Sequence, residues 1–296
     1  AKRLGATVDV LPMRPDGLVD VGALERALAS GSSGRTLVAL THVQTGESTI
    51  QPAREVGQLA KASGAVYLLD ACQTIGQLHV DVRELQCDFC CGTGRKWLRG
   101  PRGTGFLYTR REALPVAGGS RGLVGEPPMV DHVGAPMVSE TDYRLADGAR
   151  RYEMFESSEA ARAGLAAAVD VCLQVGPARI GAIAASHAAF LRRGLTQIEG
   201  IALRDAPGAA DDAAAPPRCG IVTFDASAVG LSSQEIAGAL ATRKIGVSVS
   251  PSTHSFDTAH WRRPAVVRVS PSYFNTSEEL LRLLDAVKEI VSAVRE

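Results

Sequence analysis

The stretch from Val66 to Tyr108 constrains the fold of this chain more than any other. Its first residues, VYLLD, read as a buried strand closed by Asp70, followed by a turn and the start of a helix. A second apolar run from Asp88 to Cys91 comes next, then a glycine-flanked loop carrying Lys96 and a third strand, Thr104 to Tyr108. Upstream, LVALTHV (37–43) reads as a buried strand entering the polar loop QTGES. Arg54 to Ser63 follows as a helix with Val56, Leu59 and Ala60 inward and a natural stop at Gly64. Strand, helix and strand at this spacing imply parallel pairing through right-handed crossovers.

The flanks extend that pattern. Ala1 to Gly5 reads as the tail of a helix running into a strand, Thr7 to Leu11, and Leu24 and Leu28 mark a short helix ended by Gly31. From Pro115 to Gly148 the periodicity is lost, as expected of a lid or a subunit contact. Ala160 to Val175 is an amphipathic helix. Ile180 to Ile198 is another, with the stripe Ile180, Ile183, His187, Leu191 and Leu195, in which His187 reads as a satisfied core histidine. Ala209 to Pro217 reads as a surface loop. Strands at 220–225, 246–250 and 265–270 then alternate with helices opened by the capping boxes Ser232/Glu235 and Thr276/Glu279, the last burying Leu280, Leu283, Leu284, Val287 and Ile290. The expected class is therefore α/β, with a mostly parallel large domain over residues 1–175 and a smaller α+β domain over 176–296. A chain of 296 residues that is 45% hydrophobic can fill two such cores.

Lys+Arg and Asp+Glu balance at 32 each, so charge points neither to nucleic acid nor to an anionic membrane. No apolar run approaches the roughly 18 residues of a membrane span, and the first residues have no signal-peptide shape, which predicts a cytoplasmic protein. The six cysteines sit mostly inside apolar runs and read as reduced core thiols. Cys87 and Cys90 have CxxC spacing but no second pair nearby, so no metal site is expected there.

Of the five lysines, only Lys96 follows a buried strand in a glycine-flanked loop, where burial and the neighbouring Arg95 and Arg99 favour a free amine able to form a Schiff base. Asp70 closes the preceding strand at the end where open α/β sheets bind ligands. A carboxylate there suits the protonated nitrogen of a pyridine ring, with a cap for the turn at Ala71 to Thr74 as the lesser alternative. An amine for an aldehyde and an acid for a pyridine nitrogen are requirements of pyridoxal phosphate chemistry. Gln73 is placed to reach the phenolic oxygen of such a cofactor, and Thr93 with the amides around Gly94 to bind its phosphate. Arg268, on the strand VVRVS, is a candidate for gripping a substrate carboxylate, and His42 for lying beside the cofactor. The run GTGRK is neither a Walker motif nor a dinucleotide fingerprint. The competing reading of RKWLRGPR is a solvated basic loop, and a third, weaker one is an anion-binding module using Arg95, Lys96, Arg99 and Arg102.

The set DACQTIGQ, GTGRKWLRGPRGTGFLY, RYEMFESSEAARAGL and VRVSPSYFNTSEEL resembles the class V aminotransferase family of fold-type I pyridoxal phosphate enzymes over nearly the whole chain. With THVQTGESTIQPAREVGQLA it is most similar to the branch of isopenicillin N epimerase-like proteins and ergothioneine-pathway C–S lyases (hercynylcysteine sulfoxide lyases). The resemblance implies the PLP-dependent transferase fold, a homodimer and an amino-acid substrate. It assigns Lys96 as the Schiff-base lysine, Asp70 to the pyridine nitrogen and Gln73 to the phenolate. It further assigns Thr93 to the phosphate, Arg268 to the substrate carboxylate and Thr45 to a position beside the cofactor, with His42 just before it.

Four departures from the family pattern stand out. Arg95 replaces a phosphate-binding histidine and can still bind phosphate, whereas Phe155 and Glu156 replace a Gly-Thr that reaches the partner's phosphate. No cysteine lies between Gly246 and Pro264, where cysteine desulfurases carry their persulfide nucleophile. The resemblance implies that the usual amino-terminal part of the large domain is missing, since Ala1 matches a point well inside the relatives. The implied activity is C–S bond cleavage of a cysteine conjugate or its sulfoxide by β-elimination, with amino transfer or epimerisation as the alternatives, and a degenerate, non-catalytic scaffold as the competing class.

Overall fold

A computed structural model of the chain describes residues 1–31, 35–114, 127, 129–204, 216–250 and 265–295. Strands β1 (Leu37–Thr41), β2 (Val66–Asp70), β3 (Phe89–Thr93) and β4 (Gly105–Thr109) form one sheet in that order. The first three are parallel, and β4 returns antiparallel to β3 around the loop that carries Lys96. β2 is apolar along its whole length, and its central place explains why: Tyr67 and Leu69 are fully buried. Helices α1 (Val21–Ala29) and α2 (Ala53–Ser63) cover one face, where Leu24, Val56 and Ala60 meet Tyr67 and Leu69. Asp20 caps α1 by accepting from the Ala23 amide, and α2 ends at Gly64 in the left-handed region (φ 72°).

Three expectations need correction. β1 is an edge strand of this sheet rather than a buried one: Val38 and Leu40 face the helices, while Leu37 on the other side is 59% exposed. Residues 7–11 form no strand among the described residues: Val8 and Val10 are exposed, and Leu11 packs on the core without a ladder. After β2 there is a single helical turn, with the Ile75 amide donating to the Ala71 carbonyl at 3.0 Å, and no helix. Gly76, at φ 90°, ends it.

The second sheet holds β5 (Ala202–Leu203), β6 (Val222–Asp225), β7 (Ser248–Ser250) and β8 (Val266–Val269) in the order β5-β6-β8-β7, every pair antiparallel. Helices α4 (Pro177–Thr196), α5 (Ser233–Thr242) and α6 (Ser277–Arg295) close its core around Leu191, Phe224, Leu240, Val267 and Val287. Both capping boxes form: Glu235 and Glu279 accept from the Ser232 and Thr276 amides at 2.8 and 3.0 Å, and return their own amides to the hydroxyls at 3.2 and 3.3 Å. His187 lies 3.2 Å from the Ser272 carbonyl through Nδ1, the satisfied core role its stripe suggested.

Helix α3 (Glu159–Val175) meets α4 at 79° across Gly176. Among the described residues no single helix is long and apolar enough to cross a membrane. The expected lid over 115–148 falls partly on residues 115–126 and 128, and the expected loop over 209–217 largely on 205–215; both sets lie outside the described residues.

Candidate active site

The carboxyl ends of β1, β2 and β3 bring the sequence-predicted residues to one place. Asp70 ends β2, in register with Thr41 of β1 and Cys91 of β3. Its backbone carbonyl accepts from the His42 amide at 3.0 Å, and its Oδ1 accepts from the Cys72 amide at 2.9 Å, a local turn that fixes the carboxylate. The carboxylate thus caps the turn through Oδ1, the second of the two roles weighed for it.

Lys96 sits at the tip of the β3–β4 hairpin. The loop is closed by the Gly100 amide donating to the Gly94 carbonyl at 2.7 Å and the Arg99 amide to the Lys96 carbonyl at 2.9 Å. Trp97 and Leu98 anchor it from below: Trp97 packs with Val43, Cys219 and Ile221, and Leu98 with Cys172 and Ile180. With its neighbours pinned, Lys96 is held half-buried and Arg95 exposed. Burial pushes the Lys96 amine below its ordinary value; Cys72 and Asp70 work against that shift, and Arg95 and Arg268 add to it. A lowered amine is what proton abstraction and attack on a carbonyl both require.

Gln73 is held from two sides, its amide donating to Thr45 Oγ1 at 3.0 Å and its oxygen accepting from Trp97 Nε1 at 3.3 Å. Thr45 passes this order onward. Its carbonyl accepts from the Arg268 guanidinium at 3.3 Å, and the same guanidinium reaches Ser248 Oγ at 3.2 Å. Arg268 therefore crosses from the second sheet to the mouth of the first, half-buried and pushed below its ordinary value by burial and by Arg95. Gln77 ties the same two sheets together, its oxygen accepting from the Gly220 amide at 3.0 Å.

Two expected contacts differ. The Gly94 amide donates to the Thr104 carbonyl at 2.9 Å inside the hairpin, so it is not a phosphate donor; the Thr93 hydroxyl, 3.5 Å from that same carbonyl, and Arg95 remain. In the anion-binding reading, Arg99 is already engaged: it donates to the Trp97 carbonyl at 2.5 Å and lies 4.7 Å over the Tyr273 ring. Phe155 is exposed and packs on His132. The thiols of Cys72 and Cys91, read as core residues, lie half-buried beside Asp70. Only the strand register, which sets Cys91 opposite Asp70, reveals them.

The profile of the Aminotransferase class-V family matches residues 1–283. The chain belongs to the class V aminotransferase family. It is 30% identical over 291 residues to a probable cysteine desulfurase of Methanothermobacter thermautotrophicus, covering 97% of this chain and 67% of that one. Its fold matches the apo structure of cysteine desulfurase from Thermococcus onnurineus NA1 with a TM-score of 0.84 at 25% identity, over 99% of this chain and 68% of that one. It also matches the cysteine desulfurase CsdA from Escherichia coli with a TM-score of 0.81 at 20% identity, over 99% and 67%. The chain spans 64–67% of the length of the first curated relatives it matches. These relatives are cysteine desulfurases, not the epimerase-like and sulfoxide-lyase branch that the motifs resemble.

Pyridoxal phosphate is the cofactor of class V aminotransferases, and the residues present fit it. Two polar atoms buried at the site, His42 Nδ1 and Arg268 Nε, have no partner among the described residues. The donor set of an amine, a carboxylate, an amide, a hydroxyl and two guanidinium groups is the one this ligand needs. His42 is 6% exposed, and burial lowers its pKa to about 4, so its imidazole is neutral at ordinary pH. Because the folded value lies below the unfolded one near 6.5, the unfolded chain binds the extra proton, and stability is complete above that value and lost as pH falls toward 4. Urea unfolding is expected to show a loss of about 3 kcal/mol across that window, and His42→Gln to remove it. An unchanged pH slope in the variant refutes the assignment.

Proposed function

We propose that this chain cleaves the C–S bond of an amino acid by β-elimination with pyridoxal phosphate. The observation that carries the reading is the meeting of Lys96, Asp70 and Arg268, from two different sheets, at one sheet end. When bound, the cofactor supplies a sink for the electron pair left at Cα. Arg268 orients the substrate by its carboxylate, and Lys96, with its lowered amine, takes the Cα proton. Asp70 would hold the cofactor by its ring nitrogen and keep the proton there, Thr93 and Arg95 would bind its phosphate, and Gln73 and His42 would lie beside it. The C–S electron pair leaves with the sulfur. A thiolate leaves from a conjugate, or a sulfenate from its sulfoxide, and takes up a proton; water then hydrolyses the remaining enamine to pyruvate and ammonia.

Elimination is favoured over persulfide transfer because residues 246–264 contain no cysteine. The substrate class is then a cysteine conjugate or its sulfoxide, as in the branch the motifs resemble. We extend the reading to a homodimer, since Met129, Val130, Met137, Val138, Met154 and Phe155 are large apolar side chains left exposed within a short span of chain.

The test is to add pyridoxal phosphate to the purified chain, reduce with borohydride and map the peptides, then assay cysteine, cysteine conjugates and their sulfoxides. Label on Lys96 with release of pyruvate and thiol is the expected result. Alanine with a persulfide on a chain cysteine overturns elimination in favour of desulfuration, and no label on Lys96 leaves the scaffold reading. For Arg268→Lys, which loses the bidentate fork, KM is expected to rise about 10- to 100-fold with kcat changed far less. An unchanged KM takes the carboxylate away from Arg268.

A further inference from the structure

The thiols of Cys72 and Cys91 have no part in the reaction above, yet they are placed with care. Each offers one sulfur, and Asp70 one carboxylate oxygen, and these three atoms all lie within 4.8 Å of one another. A tetrahedral zinc ion with bonds of about 2.0–2.3 Å sets its ligand atoms about 3.5–3.8 Å apart, so small side-chain rotations close the set. The backbone already holds it in place. Cys91 is the register partner of Asp70 and its carbonyl accepts from the Ala71 amide at 2.9 Å, while the Cys72 amide donates to Asp70 Oδ1 at 2.9 Å.

We propose that Asp70, Cys72 and Cys91 form a site for a soft divalent cation of the zinc type, and that this cation and the cofactor exclude one another. Two sulfurs with one carboxylate select zinc or cadmium over magnesium or calcium, which take oxygen ligands. All three residues are half-buried, so the ion reaches them through the opening that exposes the site, and a fourth position stays free. Binding releases the two thiol protons to solvent. The bound set of two thiolates, one carboxylate and a dication carries one net negative charge, which Lys96 beside Cys72 balances. The other close thiol pair, Cys87 and Cys90, is buried in the core and joins no third ligand among the described residues. Exclusion follows because the Asp70 carboxylate cannot serve the ion and the ring nitrogen together; this part alone rests on the function proposed above.

The experiment titrates the reduced full-length chain with cadmium, following the ultraviolet thiolate-to-cadmium band, and repeats it with zinc by competition. One equivalent per chain is expected, at least tenfold weaker in Cys72→Ser and in Cys91→Ser and unchanged in Cys87→Ser. Zinc is also expected to protect the peptides of Cys72 and Cys91 from iodoacetamide in the unaltered chain, a readout that needs no variant to fold. No band, equal bands in all variants, or no protection overturns the site. In the chain loaded with pyridoxal phosphate the cadmium affinity is expected to fall at least tenfold. In a chain whose Lys96 carries the pyridoxyl label, an equal affinity overturns the exclusion; absence of the label overturns the function proposed above and leaves the cation site to its own titration.

Discussion

Lys96→Ala is expected to fold as the parent does and to lose turnover by about 10²- to 10⁴-fold or more. The fold survives because the loop is held by other groups: Trp97 and Leu98 are buried, and the Gly100–Gly94 and Arg99–Lys96 bonds are between backbone atoms. Removing a half-buried amine also removes its desolvation cost, so stability is expected to change little. Catalysis does not survive, because no other lysine among the five is placed there. Lys61 and Lys244 are exposed at helix ends, Lys288 lies on the exposed face of α6, and Lys2 lies at the start of the chain. Steady-state rates beside circular dichroism and urea melts make the comparison. Equal turnover in variant and parent refutes the enzyme reading and supports a scaffold.

The largest stability effect is expected at Gly76. Its φ of 90° lies in the region side chains rarely adopt, and a Cβ there would stand 2.5 Å from the Trp97 carbonyl carbon and 2.6 Å from the Leu98 nitrogen. Those are backbone atoms, which cannot swing aside as a side chain would. Relief requires moving either the turn after Asp70 or the loop that carries Lys96, and both belong to the site. Gly76→Ala is therefore expected to cost about 3 kcal/mol or more, from left-handed strain of about 1–2 kcal/mol and the displacement of packed backbone. It is also expected to weaken cofactor binding, because Trp97 holds Gln73 and directly follows Lys96. Urea unfolding with cofactor titration checks both. A loss under 1 kcal/mol with normal cofactor affinity means that the two segments are not rigidly coupled.

Much of this was legible in the residues. Val66–Asp70 is the strand its alternation-free apolar run implied, because a run buried on both faces and five residues long has few other homes in an α/β chain. The two capping boxes announced their helices, since Ser or Thr followed by Glu at the fourth position satisfies orphan amides locally, with no help from the rest of the fold. Lys96 and Asp70 stood out because each broke an apolar or glycine-rich context. The failures were non-local. LVALT looked as buried as VYLLD, but burial depends on how many neighbours a strand has, and β1 has one in this sheet. The Gly94 amide looked like a phosphate donor until the hairpin claimed it for Thr104.

By itself the sequence determined the local elements, the cofactor chemistry available and the lysine that could perform it, because propensities, caps and the rarity of a buried lysine act over a few residues. Only the tertiary structure decided that Arg268 reaches Thr45 across 223 positions of chain, that Gln77 joins Gly220, and that Cys91 lies opposite Asp70. Those pairings are set by strand register and sheet-to-sheet packing, where a shift of a single residue would turn each side chain to the other face.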